Sequence, residues 1–208
     1  ELQSLKFKDR DATPNFHWLK TVTSRMSFVM ISEILRHQDA AQRAQVIELL
    51  IKVADCCFNM GNFDTMLTIC SVLNHTAIHR LKLTWARVTK KMPGRWETLQ
   101  EKVGVGGRNL DRLQNDLQPP CVPCVASILK HLINIHEEPT YLPETELVNM
   151  NKLRKNAKVL QMVQQARQTP YLIPVDSALV LLLLSNPLYP TEDACYERST
   201  ELEAKKPS

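Results

Sequence analysis

Cys121-Val-Pro-Cys124 is the pair of side chains whose spacing first suggests chemistry. A C-x-x-C can carry a redox couple or half of a zinc site, and His131 and His136 follow it as further candidate ligands. Geometry argues against a metal. If residues 122–135 form one helix, Cys124 and His136 lie twelve residues, about 18 Å, apart along the axis, whereas zinc ligands converge within about 2.3 Å of one ion. A thioredoxin-type pair also needs a strand before it, and none is predicted. His17, His37, His75 and His79 are scattered, with no Ser, Cys or carboxylate partner in a catalytic motif. Glu137 and Glu138 are adjacent at a helix end and diverge, so they make no hydrolytic dyad. The expectation is a protein with no metal, no cofactor and no covalent chemistry.

The elements that position these residues are helical. Five glycines in 208 residues, against a usual ~7%, leave too few for the turns of a sandwich or barrel. With 44% hydrophobic and 23% charged residues, the chain is globular and sized for one domain. The net charge is +4. Arg80 to Arg112 holds nine basic and three acidic residues, a local +6, against −2 over the rest. Such a stretch suits phosphates, anionic lipid or an acidic protein face, or simply water; no nucleic-acid-binding signature accompanies it, so no nucleic acid is expected.

Cys56, Cys57 and Cys70 fall in apolar helical pattern and read as small core residues, which favours a reduced, cytoplasmic setting. The longest apolar run, Ala178 to Leu184, has seven residues against the ~20 of a membrane span, and reads as a buried helix core. The first residue is not Met, and the chain reads as a fragment of a larger protein.

Apolar spacing predicts helices over 15–36, with Trp18 near the inner face, and over about 39–59, opened by Asp39 and Gln42 as a capping box. Two apolar stripes on the second, Val46/Leu50/Val53/Cys57 and Ile47/Ile51/Ala54/Phe58, predict burial on most sides. Gly61 ends it. Further helices are predicted over 63–73, 77–88, 94–103 (opened by Pro93), 109–117, 122–135 (opened by Pro123), 146–167, 175–184 and 191–203. Residues 104–107 are a glycine loop lacking the Gly-Lys-Ser/Thr ending of a phosphate-binding loop.

The helix after Pro123 has two faces. Val125, Ile128, Leu129, Leu132 and Ile135 make a core stripe. Lys130, Ile133, Asn134 and Glu137, at i, i+3, i+4 and i+7, share a second face that is polar except for Ile133. One branched apolar residue beside an acid suits a helix that enters a partner's site, though it also occurs by accident.

Several runs together resemble one family. Asn62-Phe63-Asp64-Thr65 and Ile78-His-Arg80-Leu81-Lys82-Leu-Thr84-Trp85 are similar to the Asn-Phe-Asn-Ser and Arg-Leu-Lys-x-Thr-Trp segments of the Ras guanine-nucleotide exchange factor (RasGEF) family, in its Cdc25-homology domain. Pro119-Pro120-Cys121-Val122-Pro123 resembles the segment opening that family's catalytic hairpin. Glu146-Leu-Val-Asn149 with Arg154-Lys155 and Ala157 resembles a later one, and Pro170-Tyr171 through Tyr196 and Glu201-Leu-Glu203 the close.

The resemblance implies an all-α, compact multi-helix fold with a protruding helical hairpin, here Pro123 to about Arg167. Residues 1–14 would be a tail and 15–208 the domain, without the family's opening segment. The implied partner is a Ras- or Rap-like small GTPase, and membrane recruitment would fall to other parts of the full-length protein. By the same resemblance, Ile133 and Glu137 are the catalytic positions, one intruding near the magnesium site and the other mimicking a nucleotide phosphate. Asn62, Phe63, Asp64, Lys130 and Asn134 are the GTPase-binding positions, Asn62 and Phe63 either bracing the hairpin or touching switch II. Arg80, Leu81, Trp85, Pro119, Pro120, Pro123, Asn149 and Arg154 are the structural motif. Asp64 in place of asparagine, Ala126 where a hairpin glycine is common, and Pro139 in the Glu-Glu-Gly-Asn stretch are departures. They favour an alternative in which the domain is a catalytically weak docking scaffold.

Overall fold

The computed structural model describes residues 8–104, 108–115 and 117–204. Among them the chain forms eleven helices: α1 (Pro14–Leu35), α2 (Ala40–Asn59), α3 (Phe63–Asn74), α4 (Thr76–His79), α5 (Lys82–Trp85), α6 (Met92–Val103), α7 (Arg108–Asn115), α8 (Val125–Glu137), α9 (Met150–Gln168), α10 (Ser177–Leu183) and α11 (Glu192–Leu202). No strand forms among the described residues; two isolated bridges, Asn62–Val122 and Tyr141–Val148, are the only β pairings there. The fold is all-α. The first seven residues of the expected tail, and most of the glycine loop, lie outside the described residues.

The core is built where the apolar stripes of α1, α2 and α3 meet. Ile34, Leu35, Ile47, Ile51, Met66, Ile69, Leu73, Ile78, Leu81 and Leu99 are sealed from solvent. Asp39 caps α2 by accepting the Ala41 N–H at 3.1 Å, satisfying a donor that the helix cannot pair internally. The burial of α2 is narrower than its two stripes suggest. Ile47, Ile51 and Ala54 are enclosed, whereas Val53 and Leu49 are exposed, because α1, α3, α5 and α6 pack around α2 and still leave one side uncovered. Cys56 and Trp18 likewise face solvent, against expectation.

The predicted helix 77–88 is broken in two, and a buried ion pair explains why. Arg43 of α2 is enclosed and reaches Glu203, at the end of α11, at 3.1 Å. Its other donors go to Thr84 Oγ1 at 2.8 Å and to the carbonyls of His37 and Gln38. Glu203 also accepts the N–H groups of Leu83 and Thr84 at 2.8 and 2.9 Å, and the Thr84 hydroxyl at 2.7 Å. A carboxylate more than a hundred residues away thus caps the first turn of α5. That ends helical continuity at Arg80 and Leu81. Arg80 in turn donates to the Ser199 and Glu203 carbonyls at 2.6 and 2.8 Å and lies over the Tyr196 ring. Leu81 is buried, and Trp85 bonds the Ile78 carbonyl and stacks on Trp96. Arg80, Leu83 and Thr84 are therefore the socket of α11, while Trp85 turns toward α4 and α6.

Burial pushes the Glu203 carboxyl up. The hydrogen bonds from Thr84, Leu83 and Arg43 outweigh that, and the net position is below the ordinary value.

Two other boundaries shift as well. The helix predicted from Val122 starts at Val125, because Val122 pairs with the Gly61–Phe63 backbone and Pro123 lies ahead of the Cys124 cap. The helix predicted from Glu146 starts at Met150, since residues 146–149 form the return leg of a turn. The apolar run 178–184 is not a buried core: α10 has no buried residue, and Leu181 is 71% exposed.

Candidate functional site

The site is a two-helix hairpin, α8 and α9, whose root is set by a helix end elsewhere. α2 finishes in a Schellman turn: the Gly61 N–H bonds the Phe58 carbonyl and the Asn62 N–H bonds that of Cys57, at 3.0 and 2.8 Å. Gly61 has φ +73°, and an added Cβ would press Leu117 Cδ1 and Cys121 Cβ at 3.2 and 3.3 Å. The turn leaves the Gly61 carbonyl free to accept the Val122 N–H at 3.0 Å, while the Phe63 N–H donates to the Val122 carbonyl at 2.9 Å.

Asn62 then caps α3 by accepting the Thr65 N–H. Phe63 is buried and stacks on Phe58 with centroids 5.6 Å apart. Asp64, one turn into α3's start, accepts the Val125 N–H at 3.0 Å and so caps α8 from outside. A third clasp comes from Gln114, whose side-chain carbonyl accepts the Cys124 N–H. Pro123 is buried behind these bonds, and Pro119 and Pro120 lead the chain into them.

From this root α8 projects with Ile128, Leu132 and Ile135 buried. Lys130, Ile133, Asn134 and Glu137 are all exposed on its other face, Ile133 at 42%. α9 returns along α8 and itself buries no residue. Asn149 caps it, accepting the Lys152 N–H and donating to the Pro139 carbonyl. Arg154 is exposed on α9.

Asn62, Phe63 and Asp64 therefore sit at the root. Ile133 and Glu137 sit about 12 and 18 Å further along α8 by helical rise. The residues drawn from the resemblance form two groups joined by a helix, and Phe63 is enclosed and shows no ring to solvent.

The turn between α8 and α9 holds contacts that sequence reasoning did not foresee. Lys152 Nζ reaches the His136 and Glu138 carbonyls at 3.1 and 2.6 Å and Thr140 Oγ1 at 3.4 Å. Lys155 pairs with Glu138 at 2.7 Å. At the other end, Tyr171 donates to the Met60 carbonyl at 2.7 Å, tying the exit of α9 to the α2 terminus. None of these residues stands in a pattern that announces a pairing in advance.

Cys121 and Cys124 are buried structural thiols at the root. Cys124 Sγ accepts the Ser127 N–H as the α8 cap, and burial raises the Cys121 thiol above its ordinary range. Among the described residues no group of three or more His, Cys, Asp or Glu is placed to hold a metal, and no helix is long and apolar enough to cross a membrane.

The hairpin is clasped at its root and carries an apolar residue and an acid on its outward face. The chain is 36% identical over 185 residues to Ras-specific guanine nucleotide-releasing factor 2 of Danio rerio, covering 88% of this chain and 15% of that protein. It is 33% identical over 206 residues to the Mus musculus protein of the same name, covering 98% and 17%. A Rap guanine nucleotide exchange factor of Caenorhabditis elegans is 29% identical over 171 residues, covering 80% and 12%. The chain thus spans less than a fifth of the length of these relatives. Residues 1–154 match the family described as RasGEF domain, and with the all-helical fold and the hairpin this places the chain in the RasGEF domain family.

Proposed function

We propose that this domain promotes GDP release from a Ras- or Rap-like small GTPase by inserting the distal part of α8 into the nucleotide site. The observation that carries the reading is the shared exposure of Ile133 and Glu137 on one outward face of a helix otherwise held from below.

The switch loops of a GTPase are held by phosphate and Mg²⁺. A carboxylate delivered there competes with phosphate for the groups that bind it, and an apolar side chain disfavours the ion. Factor and nucleotide then weaken each other's binding by the same factor. Release accelerates while the GDP/GTP equilibrium stays where it was. Lys130 and Asn134 flank the intruding face and contact the GTPase. Asn62, Phe63 and Asp64 act mainly by holding the hairpin's stance. No covalent step and no cofactor enters.

Of the two adjacent acids, Glu137 is the available one: Glu138 is engaged by Lys155, while Glu137 makes no ion pair among the described residues. Release of a fluorescent GDP analogue from a panel of Ras-family GTPases tests the reading. On a responsive GTPase, Glu137→Ala and Ile133→Ala should each slow stimulated release by between about 5- and 150-fold, the usual span of a coupling energy, and Glu138→Ala far less. Unchanged release in both variants would falsify the insertion mechanism. Silence of every GTPase, with this chain and with a longer parent chain alike, would leave the docking scaffold as the function.

A further inference from the structure

The last turn of α8 carries an acid in the least favourable place a helix offers. Its C-terminal carbonyls have no partners within the helix, and the macrodipole makes that end negative. Glu137 and Glu138 add two carboxylates there. Left alone, such an end frays, and the direction of the Glu137 side chain is lost with it.

The Lys152 ammonium answers both problems. It donates to the carbonyls of His136 and Glu138, the two residues flanking Glu137, and to the Thr140 hydroxyl. One positive charge thus pins the backbone on either side of the acid and offsets the negative helix end. Lys152 is itself placed by its own N–H, which Asn149 accepts at 3.1 Å as the α9 cap. One turn on, Lys155 takes the Glu138 carboxylate. The two lysines share a face of α9 and divide the work: one fixes the main chain, the other draws the neighbouring acid aside.

We propose that Lys152 is a positioning residue for nucleotide release, holding the end of α8 so that Glu137, and not Glu138, is presented to the GTPase. The proposal rests on the exchange reading above. Hydrogen bonds from a charged donor are stronger than neutral ones, so the loss of Lys152 is felt at the turn. The globular core, which α9 does not enter, is left alone.

The test uses the whole chain with Lys152→Met, Lys152→Gln and Lys152→Arg, and Lys155→Met for comparison. Amide hydrogen exchange across residues 134–142 reads the helix end directly. Stimulated release across a range of GTPase concentrations separates the maximal rate from the half-saturating concentration. In Lys152→Met and Lys152→Gln the amides of that turn should exchange about tenfold faster, and the maximal rate should fall about tenfold with little change in half-saturation. Lys152→Arg should recover most of both. Lys155→Met should leave the turn amides protected and raise the share of activity sensitive to Glu138→Ala.

Unchanged turn protection in Lys152→Gln overturns the proposal, as does a lowered rate that Lys152→Arg fails to restore. If neither the wild-type chain nor a longer parent chain accelerates release from any GTPase, the exchange reading falls and the proposal with it. That result is distinguishable, because the amide measurement still reports whether Lys152 holds the turn.

Discussion

Glu203 shows how much one side chain decides. It is the acceptor for a guanidinium, two main-chain N–H groups and a hydroxyl, and these span α2, α5 and α11. Removing one partner of an enclosed pair strands the other charge, at a cost of about 3–5 kcal/mol. Arg43→Met and Glu203→Gln should each lower unfolding free energy by about that amount in urea titrations. The pH dependence follows from the lowered carboxyl. Its stabilisation is fully present above the ordinary value of 4.5 and is lost as pH falls through the depressed folded value. Wild-type protein should therefore lose stability progressively below about pH 4.5, with a shallower loss in Glu203→Gln. Neither residue was legible as a core position in sequence. Arg43 lies in a helical pattern where its neighbours Ala44 and Ile47 mark the inner face, and long charged residues at such places are read as solvated by default.

Among elements, the helix boundaries that sequence foretold well are those with their signals nearby. Asp39, Gly61 and Thr191 each stand within two residues of the end they cap. Two boundaries that it missed are set from afar, α5 by Glu203 and α8 by Asp64 and Val122's pairing partners; the start of α9 is set locally, by the turn that ends at the Asn149 cap. The hairpin's outward face was legible because 3.6-residue periodicity separates it from the core stripe. The lysine clamp at its turn was not, since no spacing rule links Lys152 to carbonyls fourteen and sixteen residues earlier. Gly61 is the element-scale test. Its left-handed backbone and the close approach of Leu117 and Cys121 both oppose a side chain. Gly61→Ala should cost more than the about 1 kcal/mol of a tolerated glycine substitution. It should also slow nucleotide release more than an equally destabilising change in α1, because the displaced atoms belong to the hairpin root.

For the molecule as a whole, the apolar surface is unevenly spent. The α1–α3 core is sealed, while Leu172, Val175, Leu179, Leu181 and Leu182 lie exposed near α10. The run 178–184 reads as core in sequence because hydropathy reports what a segment prefers to bury, not whether a neighbour is at hand. A patch of this kind promotes association. Leu181→Lys should change unfolding free energy by no more than about 0.5 kcal/mol and raise the concentration at which light scattering detects oligomers. The six thiols sort by the same contrast. Burial lifts Cys70 to about 11, and burial followed by the Glu192 charge lifts Cys195 to about 11, while Cys56 is exposed. A thiol reagent at neutral pH should modify Cys56 in the native protein and reach Cys70 and Cys195 only on unfolding.

The pairing of Gly61, Phe63 and Val122 uses main-chain atoms alone. Any substitution but proline leaves the amides in place, so at Phe63 and Val122 this joint survives a change of residue so long as the backbone holds its course. The outward face of α8 is then free to vary in sequence while the root beneath it keeps its geometry.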